Sequence, residues 1–400
     1  MKSIDWMDRK DFQMIRNSAR AGGWPESMGL GEHKSWFTEV GPDYDVVVST
    51  RVRLARNVAG LPFPGFMSST EEQAVATGIA QIFQDKFSSR EYLVIDPSRL
   101  HPWSRTLLLE RNLAADDFSD TVHTVLILRS DERFAASVNM VDHLRLSVLR
   151  GGNQIRDAYE EIDRVDRLIE EVIPYSVSLE WGYLNSEITN IGTGMRASVL
   201  LHLPALMETD RAPEVFETMA RSGFMVKGFW VSDENTQARR SLGDMYQVSN
   251  LITIGVDERD IVEKLAKTTS QLVHYEQKAR RDLMKGSKRT ATTDRIAAAQ
   301  VSLQEASSLS YRDAVESLSA VRLGISLGLV PDVRTETVTS LLFISQRSHI
   351  LHAFDAAESE DGTMENAPDD GSTVGFPAME SAAIDERRAA LVQQHLFPVG

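Results

Sequence analysis

The sequence predicts an α+β fold up to about Met284, followed by an all-helical portion and a terminal helix on a tether. Strand-like segments rich in β-branched residues occur in the first part, such as residues 45–50 (DVVVST). From Glu258 onward the apolar residues recur at helical spacing. Residues 357–372 carry six acids, no Lys or Arg, and interspersed Gly and Pro, a composition typical of a flexible linker.

Local patterns predict the individual elements of this fold. Residues 122–128 and 134–139 flank a polar turn and are predicted to form a hairpin. Between Ile155 and Val172, apolar residues recur at helical spacing with acids and arginines between them, which indicates an amphipathic helix. Residues 245–248 and 251–254 are predicted to form a bent pair of strands.

These elements divide the chain into five predicted parts. The parts are an N-terminal helix with loops (1–40), the α+β domain (41–284), a helical domain (285–356), an acidic flexible linker (357–378) and a C-terminal helix (379–400). A chain of 400 residues is long enough for roughly two to three domains.

Composition and charge exclude several classes of function. The net charge of -15 argues against a nonspecific nucleic-acid binder, although it is compatible with a local basic pocket. The chain has no cysteine, which excludes disulfides, thiolate metal sites and cysteine nucleophiles. The N-terminus lacks the apolar core of a signal peptide, and no apolar run approaches the roughly 20 residues of a membrane span. We therefore expect a cytoplasmic protein that binds neither nucleic acid nor membrane.

The first of three blocks with candidate chemistry is residues 49–57 (STRVRLARN). Arg51 and Arg53 are two residues apart on a predicted strand, so their side chains point to the same face. Two planar guanidinium groups on one face suit a polyphosphate, because each can hold phosphate oxygens in a bidentate manner. Taken alone, this pattern is more typical of a solvated strand face.

The other two blocks are residues 138–145 (VNMVDHLR) and 182–196 (GYLNSEITNIGTGMR). Glycine and small hydroxyl residues in the latter suit a loop whose backbone approaches a ligand closely. A single Gly-Thr-Gly is usually only a turn. The combination of the three blocks, in this order, is far more distinctive than any one of them.

Together the blocks resemble the ATP:guanidino phosphotransferases, whose members include creatine kinase, arginine kinase and the bacterial protein-arginine kinase. The family pattern GYLTSCPTNxGTGxRAS reads GYLNSEITNIGTGMRAS here. Agreement continues at 200–206 (LLHLPAL) and 243–255 (GDMYQVSNLITIG). The segment AVESLSAVRLGISLGLV, which ends at Val330, is similar to the bacterial protein-arginine kinase and not to the metabolite kinases. The resemblance covers residues 41–330.

This resemblance implies an antiparallel sheet flanked by helices, with ATP clamped by arginines, Mg²⁺ bridging its phosphates and phosphoryl transfer to a guanidinium nitrogen. The residues that match the family's nucleotide site are Arg51, Arg53, His143, Arg145, Arg196 and Lys227. Lys227 stands where the family has an arginine, so it keeps the charge but loses the planar fork. Arg239 and Arg240, in the following loop, could compensate.

Further departures from the family pattern lie at the acid site. The family's Asn-Glu-Glu-Asp-His reads Asn-Met-Val-Asp-His here, and Val141 can neither orient a guanidinium nor take its proton. Glu187 replaces the family's reactive cysteine. One hypothesis makes Glu187 the guanidinium-binding carboxylate of a kinase, with Asp142 as a second candidate catalytic residue. The alternative is a noncatalytic pseudokinase that binds nucleotide or phosphoarginine and regulates partners; an ordinary loop role for Glu187 is the third interpretation.

The C-terminal helix carries one further match. Residues 384–389 (IDERRA) resemble the Arg-Asp-x-x-Arg-Ala motif with which bacterial protein-arginine kinases bind phosphoarginine, and they keep Asp385 and Arg388 but not the first arginine. An ordinary charged helix face is the alternative. The resemblance also implies partners: protein-arginine substrates, a Clp-type protease system, a zinc-binding activator protein and a second copy in a homodimer.

Overall fold

One large antiparallel sheet organises the protein. The computed structural model describes residues 35–87, 91–100, 102–114, 123–230, 240–352 and 381–397. Eight strands form the sheet, in the spatial order β2-β3-β4-β5-β1-β8-β10-β9. These strands are β1 (Val47–Arg56), β2 (Tyr92–Ile95), β3 (Val125–Arg129), β4 (Phe134–Val138), β5 (Leu144–Gly151), β8 (Met195–His202), β9 (Phe224–Gly228) and β10 (Met245–Asn250). The hairpin of β6 (Val177–Ser178) and β7 (Gly182–Tyr183) stands apart from it.

Helices flank this sheet and make up the C-terminal part. They are α1 (Ser69–Lys86), α2 (Pro102–Glu110), α3 (Ile155–Glu170), α4 (Pro204–Glu208), α5 (Ala212–Arg221), α6 (Glu258–Leu283), α7 (Gly286–Glu305), α8 (Tyr311–Ser326), α9 (Thr335–Ile344) and α10 (Ser381–Leu396). The predicted α+β fold, with an antiparallel sheet flanked by helices and a helical C-terminal part, is therefore confirmed. The predicted boundary at 284 and 285 lies between α6 and α7. No helix in the described part of the chain is long and apolar enough to cross a bilayer.

The face of the sheet opposite Arg51 and Arg53 is apolar and packs on helices. Val52 and Leu54 are fully buried there, in the core that includes Ile162 of α3 and Leu265 of α6. The helical spacing of apolar residues in α3 accounts for this contact, because it places them on one stripe. The predicted helix over 155–172 and the hairpin of 122–128 with 134–139 are confirmed as α3 and the β3–β4 pair.

The predicted bent pair of strands is only half right. β10 ends at Asn250, and residues 251–254 are a loop with exposed Leu251, Ile252 and Ile254. The Asn250 side chain accepts from Ala197 N (2.8 Å) and donates to Met195 O (3.1 Å). An amide side chain thus occupies the backbone groups of β8 with which a longer β10 would pair, so the ladder stops there. The predicted linker 357–378 and residues 1–34 lie outside the described residues.

A second core joins the other side of the sheet to the helical part. Trp36 is 1% exposed, and its ring meets that of Phe343 on α9 edge-on, with centroids 4.8 Å apart. Its indole nitrogen donates to Arg111 O (2.8 Å). Below the rings, the buried Arg322 of α8 donates to Asp45 O (3.0 Å), just before β1. The helical part is therefore packed and hydrogen-bonded to the start of the central strand.

Replacing Trp36 with Ala should lower the free energy of unfolding by about 3–5 kcal/mol, because it leaves a large cavity and removes the indole donor to the Arg111 carbonyl. Urea denaturation followed by circular dichroism measures this loss. Val301→Ala on α7, where the side chain is 51% exposed, is the control and should change stability little. Equal stability of the Trp36 variant and the wild type would contradict this packing.

Candidate functional site

Four arginines project from one face of three neighbouring strands. In the register of the sheet, Arg53 on β1 lies opposite Arg196 on β8, and Arg145 on β5 lies opposite Ala55. Directly opposed residues in an antiparallel pair share a face, and Arg51 joins them because it is two residues from Arg53. The structure therefore brings together Arg51, Arg53, Arg145 and Arg196, which we call the arginine cluster.

The arginines of the cluster act on one another electrostatically. Burial, together with the positive charges of Arg51, Arg145 and Arg196, lowers the pKa of Arg53 well below its usual value. The negative charge of Glu187 opposes this shift. The charged form of Arg53 is thus destabilised by its neighbours, and a bound polyanion would relieve that repulsion. These electrostatics are those of an anion site.

Local contacts orient the guanidinium groups. Arg51 Nε donates to Ser147 Oγ (3.1 Å), and Arg196 Nη2 lies 4.0 Å from Met225 Sδ. Arg145 Nη2 lies 3.9 Å from a carboxylate oxygen of Asp142. The hydroxyl and thioether contacts orient Arg51 and Arg196, and the ion pair with Asp142 orients Arg145.

The Gly-Thr-Gly loop before Arg196 is pressed against the end of β1. At Gly194 the backbone has a φ of 62°, and a Cβ there would lie 2.5 Å from Ala55 O and 2.7 Å from Arg56 Nη1. Arg56 Nη1 also donates to Thr193 O (2.9 Å). Only glycine fits this close approach. The loop in turn sets the position of Arg196, the second residue of β8.

Sequence reasoning missed the role of Arg56. This guanidinium is 1% exposed and donates to Asp166 Oδ2 through two nitrogens (2.9 and 2.7 Å) and to Glu258 Oε1 (3.1 Å). It also stacks on Tyr183, with 3.7 Å between its Cζ and the ring centroid. The available signal was its spacing: three residues after Arg53 on a strand, Arg56 points to the opposite face, away from the cluster.

Asp142 connects the cluster to the loop that carries Glu187. Its Oδ1 accepts from Ser186 N (2.9 Å) and from Asn57 Nδ2 (2.8 Å). Its Oδ2 is buried and has no hydrogen-bond partner among the described residues, while Arg145 lies 3.9 Å away. Asp142 therefore holds the loop in place and leaves one carboxylate oxygen toward Arg145.

Glu187 lies at the start of the short 3-10 helix Ile188–Asn190 and is exposed. Its Oε2 accepts from Asn190 Nδ2 (2.9 Å), and its side chain makes no capping bond to a described backbone amide. Glu187 is close enough to Arg53 to affect its pKa. Val141, where the family has glutamate, is half-buried in the loop between β4 and β5. Both loops thus supply a carboxylate at the border of the cluster, Asp142 beside Arg145 and Glu187 near Arg53.

His143 is buried, and both its ring nitrogens are occupied. Nδ1 accepts from Val58 N (2.9 Å), which leaves the proton on Nε2, and Nε2 donates to Pro62 O (2.9 Å). Burial lowers the pKa of His143 to about 4, so the ring is neutral near neutral pH. A nucleotide contact by His143 stays a prediction, and it requires the ring to give up one of these bonds.

Lys227 lies on the same face as the cluster, at the exposed edge of the sheet. It is opposite Gln247 on β10, and Gln247 donates to Ser198 Oγ (2.9 Å), the residue opposite Arg51. Arg240 donates from Nε and Nη2 to the two carboxylate oxygens of the buried Asp244 (2.5 and 2.6 Å). These two nitrogens are therefore already engaged within the protein. Arg239 lies outside the described residues.

The Arg388 guanidinium anchors α10 to the helical part. It is 3% exposed and donates to Ser345 O (2.8 Å), to Leu309 O (2.7 Å) and to Asp385 Oδ1. Binding of phosphoarginine by Asp385 and Arg388 stays a prediction, and it requires Arg388 to leave these partners. The alternative is an ordinary charged helix face in contact with solvent. It does not describe Arg388, because this side chain is buried.

The His143 pKa predicts acid sensitivity. The ring has a pKa of about 4 in the folded protein and its ordinary value of 6.5 when unfolded. Between these values the unfolded chain binds a proton that the folded one excludes, so stability falls as the pH decreases. Between about pH 7 and about pH 5 this loss is about 2 kcal/mol. In urea titrations His143→Gln should lose this part of the pH dependence, whereas exposed His395→Gln should keep it; identical profiles would contradict the buried neutral ring.

Two family models match this sequence. The ATP:guanido phosphotransferase C-terminal catalytic domain matches residues 72–279, which contain every strand of the sheet except β1. The C-terminal domain of the protein-arginine kinase McsB matches residues 289–363, which contain α8 and α9. Both parts of the fold are thus represented in one family.

Similar proteins include several named as protein-arginine kinases. That of Clostridium acetobutylicum is 33% identical over 323 residues, covering 80% of this chain and 93% of the relative. That of Symbiobacterium thermophilum is 35% identical over 331 residues, covering 81% and 91%. That of Bacillus subtilis is 33% identical over 318 residues, covering 78% and 85%.

Solved structures of guanidino kinases share the fold. The duplicated taurocyamine kinase of Schistosoma mansoni, with bound transition-state analogue components, matches with a TM-score of 0.52 at 22% identity, over 64% of this chain and 36% of that one. A lombricine kinase matches with a TM-score of 0.51 at 21% identity, over 61% and 69%. From its family models, its relatives and its fold, this chain belongs to the bacterial protein-arginine kinase branch of the ATP:guanidino phosphotransferase family.

Proposed function

We propose that this protein binds ATP through the arginine cluster and transfers its γ-phosphoryl group to arginine side chains of protein substrates. The observation that carries the proposal is the cluster itself, four guanidinium groups on one sheet face with Glu187 at its border. The relatives named as protein-arginine kinases support the same activity. Lys227 is proposed to add a fifth positive charge from the edge of the sheet.

The triphosphate would be held by charge and geometry. Each planar guanidinium can donate hydrogen bonds to two phosphate oxygens, and the anion would offset the burial and the neighbouring positive charges that lower the pKa of Arg53. No three His, Cys, Asp or Glu residues gather into a metal site within the described ranges. This fits Mg²⁺ that arrives with the nucleotide, because that ion commonly binds phosphate oxygens and water instead of an all-protein cage. When bound, it neutralises charge that develops during transfer.

The acceptor requires a carboxylate. An arginine guanidinium keeps its proton at neutral pH because its pKa is very high, so a carboxylate must hold it and act as the base that takes the proton. We assign this role to Glu187, with Asp142 positioning the loop through its bond to Ser186 N. The guanidinium nitrogen then forms its bond to the γ-phosphorus as the bond to the ADP oxygen breaks, and the nitrogen's proton passes to Glu187. Positioning and charge neutralisation supply most of the rate acceleration.

Val141 favours a second candidate function. Without the family's glutamate at this position, the cluster would serve a pseudokinase that binds nucleotide or phosphoarginine and acts through partner proteins. A Clp-type protease system, a zinc-binding activator and a second copy of the chain are the partners proposed from the family resemblance. The two candidates share the nucleotide site and differ only in phosphoryl transfer.

Nucleotide binding tests what both candidates share. Arg196→Ala should weaken ATP binding by about 10- to 100-fold in calorimetry, because it removes charge-assisted hydrogen bonds. Arg196→Lys keeps the charge without the fork and should lie between. Arg221→Ala on α5, with a side chain 75% exposed, is the control and should bind like the wild type. A wild-type protein without ATP affinity would exclude the kinase and the nucleotide-binding pseudokinase, and it would leave a phosphoarginine binder or a scaffold that retains the fold.

Phosphoryl transfer separates the candidates. With Mg-ATP and an arginine-rich protein, the wild type should form acid-labile phosphoarginine, detected by mass spectrometry, and Glu187→Gln should abolish it while keeping ATP affinity. Val141→Glu should raise the rate, within the roughly 10²- to 10⁴-fold range of a general base. Glu305→Gln, at the exposed end of α7, is the matched control. Unaltered activity in Glu187→Gln would exclude its catalytic role, and ATP binding without any product in the wild type would establish the pseudokinase.

A further inference from the structure

A groove lies on the helix side of the sheet, behind the loop that carries Glu187. Its volume is about 770 Å³, within the range of peptide- and ligand-sized clefts. The walls are residues of the β6–β7 hairpin (177–183), the segment 253–259, and one side of α3. We call it the hairpin groove. None of the proposed phosphate-binding arginines lines it.

The hairpin groove carries surplus negative charge. Its lining includes six carboxylates and three guanidinium groups. The guanidinium groups of Arg56 and Arg167 are paired with acids of the lining itself. Glu170, Glu180 and Asp257 are exposed and form no ion pair within the described part of the chain. The unbalanced carboxylates favour a cationic occupant.

Apolar side chains stand beside these carboxylates. Val177, Trp181 and Ile254 line the groove and are 53%, 50% and 40% exposed. An indole face next to carboxylates suits an arginine or lysine side chain, because the cation stacks on the ring while its charge is balanced. The apolar area suits aliphatic or aromatic neighbours of that cation. Such a mixed surface matches a basic polypeptide better than a small ion.

The groove and the candidate site share one loop. Gly192 and Thr193 line it, and they belong to the loop that carries Glu187 on its other side. Thr193 N donates to Thr253 O (3.0 Å), which joins this loop to the opposite wall. Ile188, directly after Glu187, is 79% exposed. A chain that presents an arginine to Glu187 would have to cross Ile188 to reach the groove, and in extended form it would advance roughly 3.3–3.6 Å per residue.

We propose that the hairpin groove docks the basic segment that flanks the target arginine in a protein substrate. This inference rests on the proposed function and deepens it, since it identifies the substrate as a polypeptide with cationic and apolar residues beside the phosphorylated arginine. Docking outside the reacting centre would let the protein select its substrates independently of the nucleotide. The contacts are charge pairing with Glu170 and Glu180 and stacking on Trp181.

The test is peptide binding to the full chain. The dissociation constant of a fluorescein-labelled peptide of arginine and leucine is measured by anisotropy for the wild type, for Glu170→Lys/Glu180→Lys and for Trp181→Ala. Reversal of two exposed charges should raise the dissociation constant about tenfold, and loss of the indole severalfold. ATP affinity by calorimetry should stay unchanged in both variants, which also verifies their folding.

A matched control separates docking from general attraction to an acidic protein. Glu305→Lys/Asp332→Lys reverses two exposed charges in the helical part, and its peptide affinity should equal that of the wild type. Equal weakening in both double variants would overturn the proposal. So would an oligomer that dissociates on Trp181→Ala with unchanged peptide affinity, since the groove would then belong to a second copy. A wild type without ATP affinity but with groove-dependent peptide binding would contradict the proposed function and retain the docking site.

Discussion

The register of β1 against β8 is the constraint on which the site depends. It sets Arg53 opposite Arg196 and places four like charges on one face, an arrangement that is unfavourable without an anion. A slip of one residue would turn the arginines toward the helices and Val52 toward solvent, which apolar burial forbids. The apolar core on the far face therefore maintains an electrostatically strained near face. On β1, the side chains of one face stabilise the fold, and the arginines of the other face form the proposed anion site.

The contrast between Arg56 and the arginine cluster distinguishes structural from ligand-directed arginines. Arg56 is surrounded by Asp166, Glu258 and the Tyr183 ring, so its charge is fully balanced inside the protein. Its guanidinium donates a hydrogen bond to Thr193 O and so holds the Gly-Thr-Gly loop in place. Arg53 has the opposite environment, because burial and positive neighbours lower its pKa. Both arginines are in one motif, and only their partners separate the two roles.

Two loops meet at the border of the cluster. They contain Val141 and Glu187, two positions at which this chain departs from the family pattern. Asp142 accepts a hydrogen bond from Ser186 N, so the loop that follows Val141 is tied to the loop that carries Glu187. The proposed acid role of Glu187 therefore uses a loop that is anchored next to position 141. The hairpin groove begins at the far end of the same loop, which places the proposed docking of substrate and its chemistry on one connected segment.

The sequence by itself determined the α+β class, the strand β1, the helix α3 and the shared face of Arg51 and Arg53, because period two and period 3.6 are local properties. The family motifs also identified Arg145 and Arg196 as candidates. Only the tertiary structure decided which arginine is neutralised, since Arg56 meets acids that are 110 and 202 residues away. It likewise decided the early end of β10. Such outcomes depend on burial and on partners distant in sequence, which no local pattern encodes.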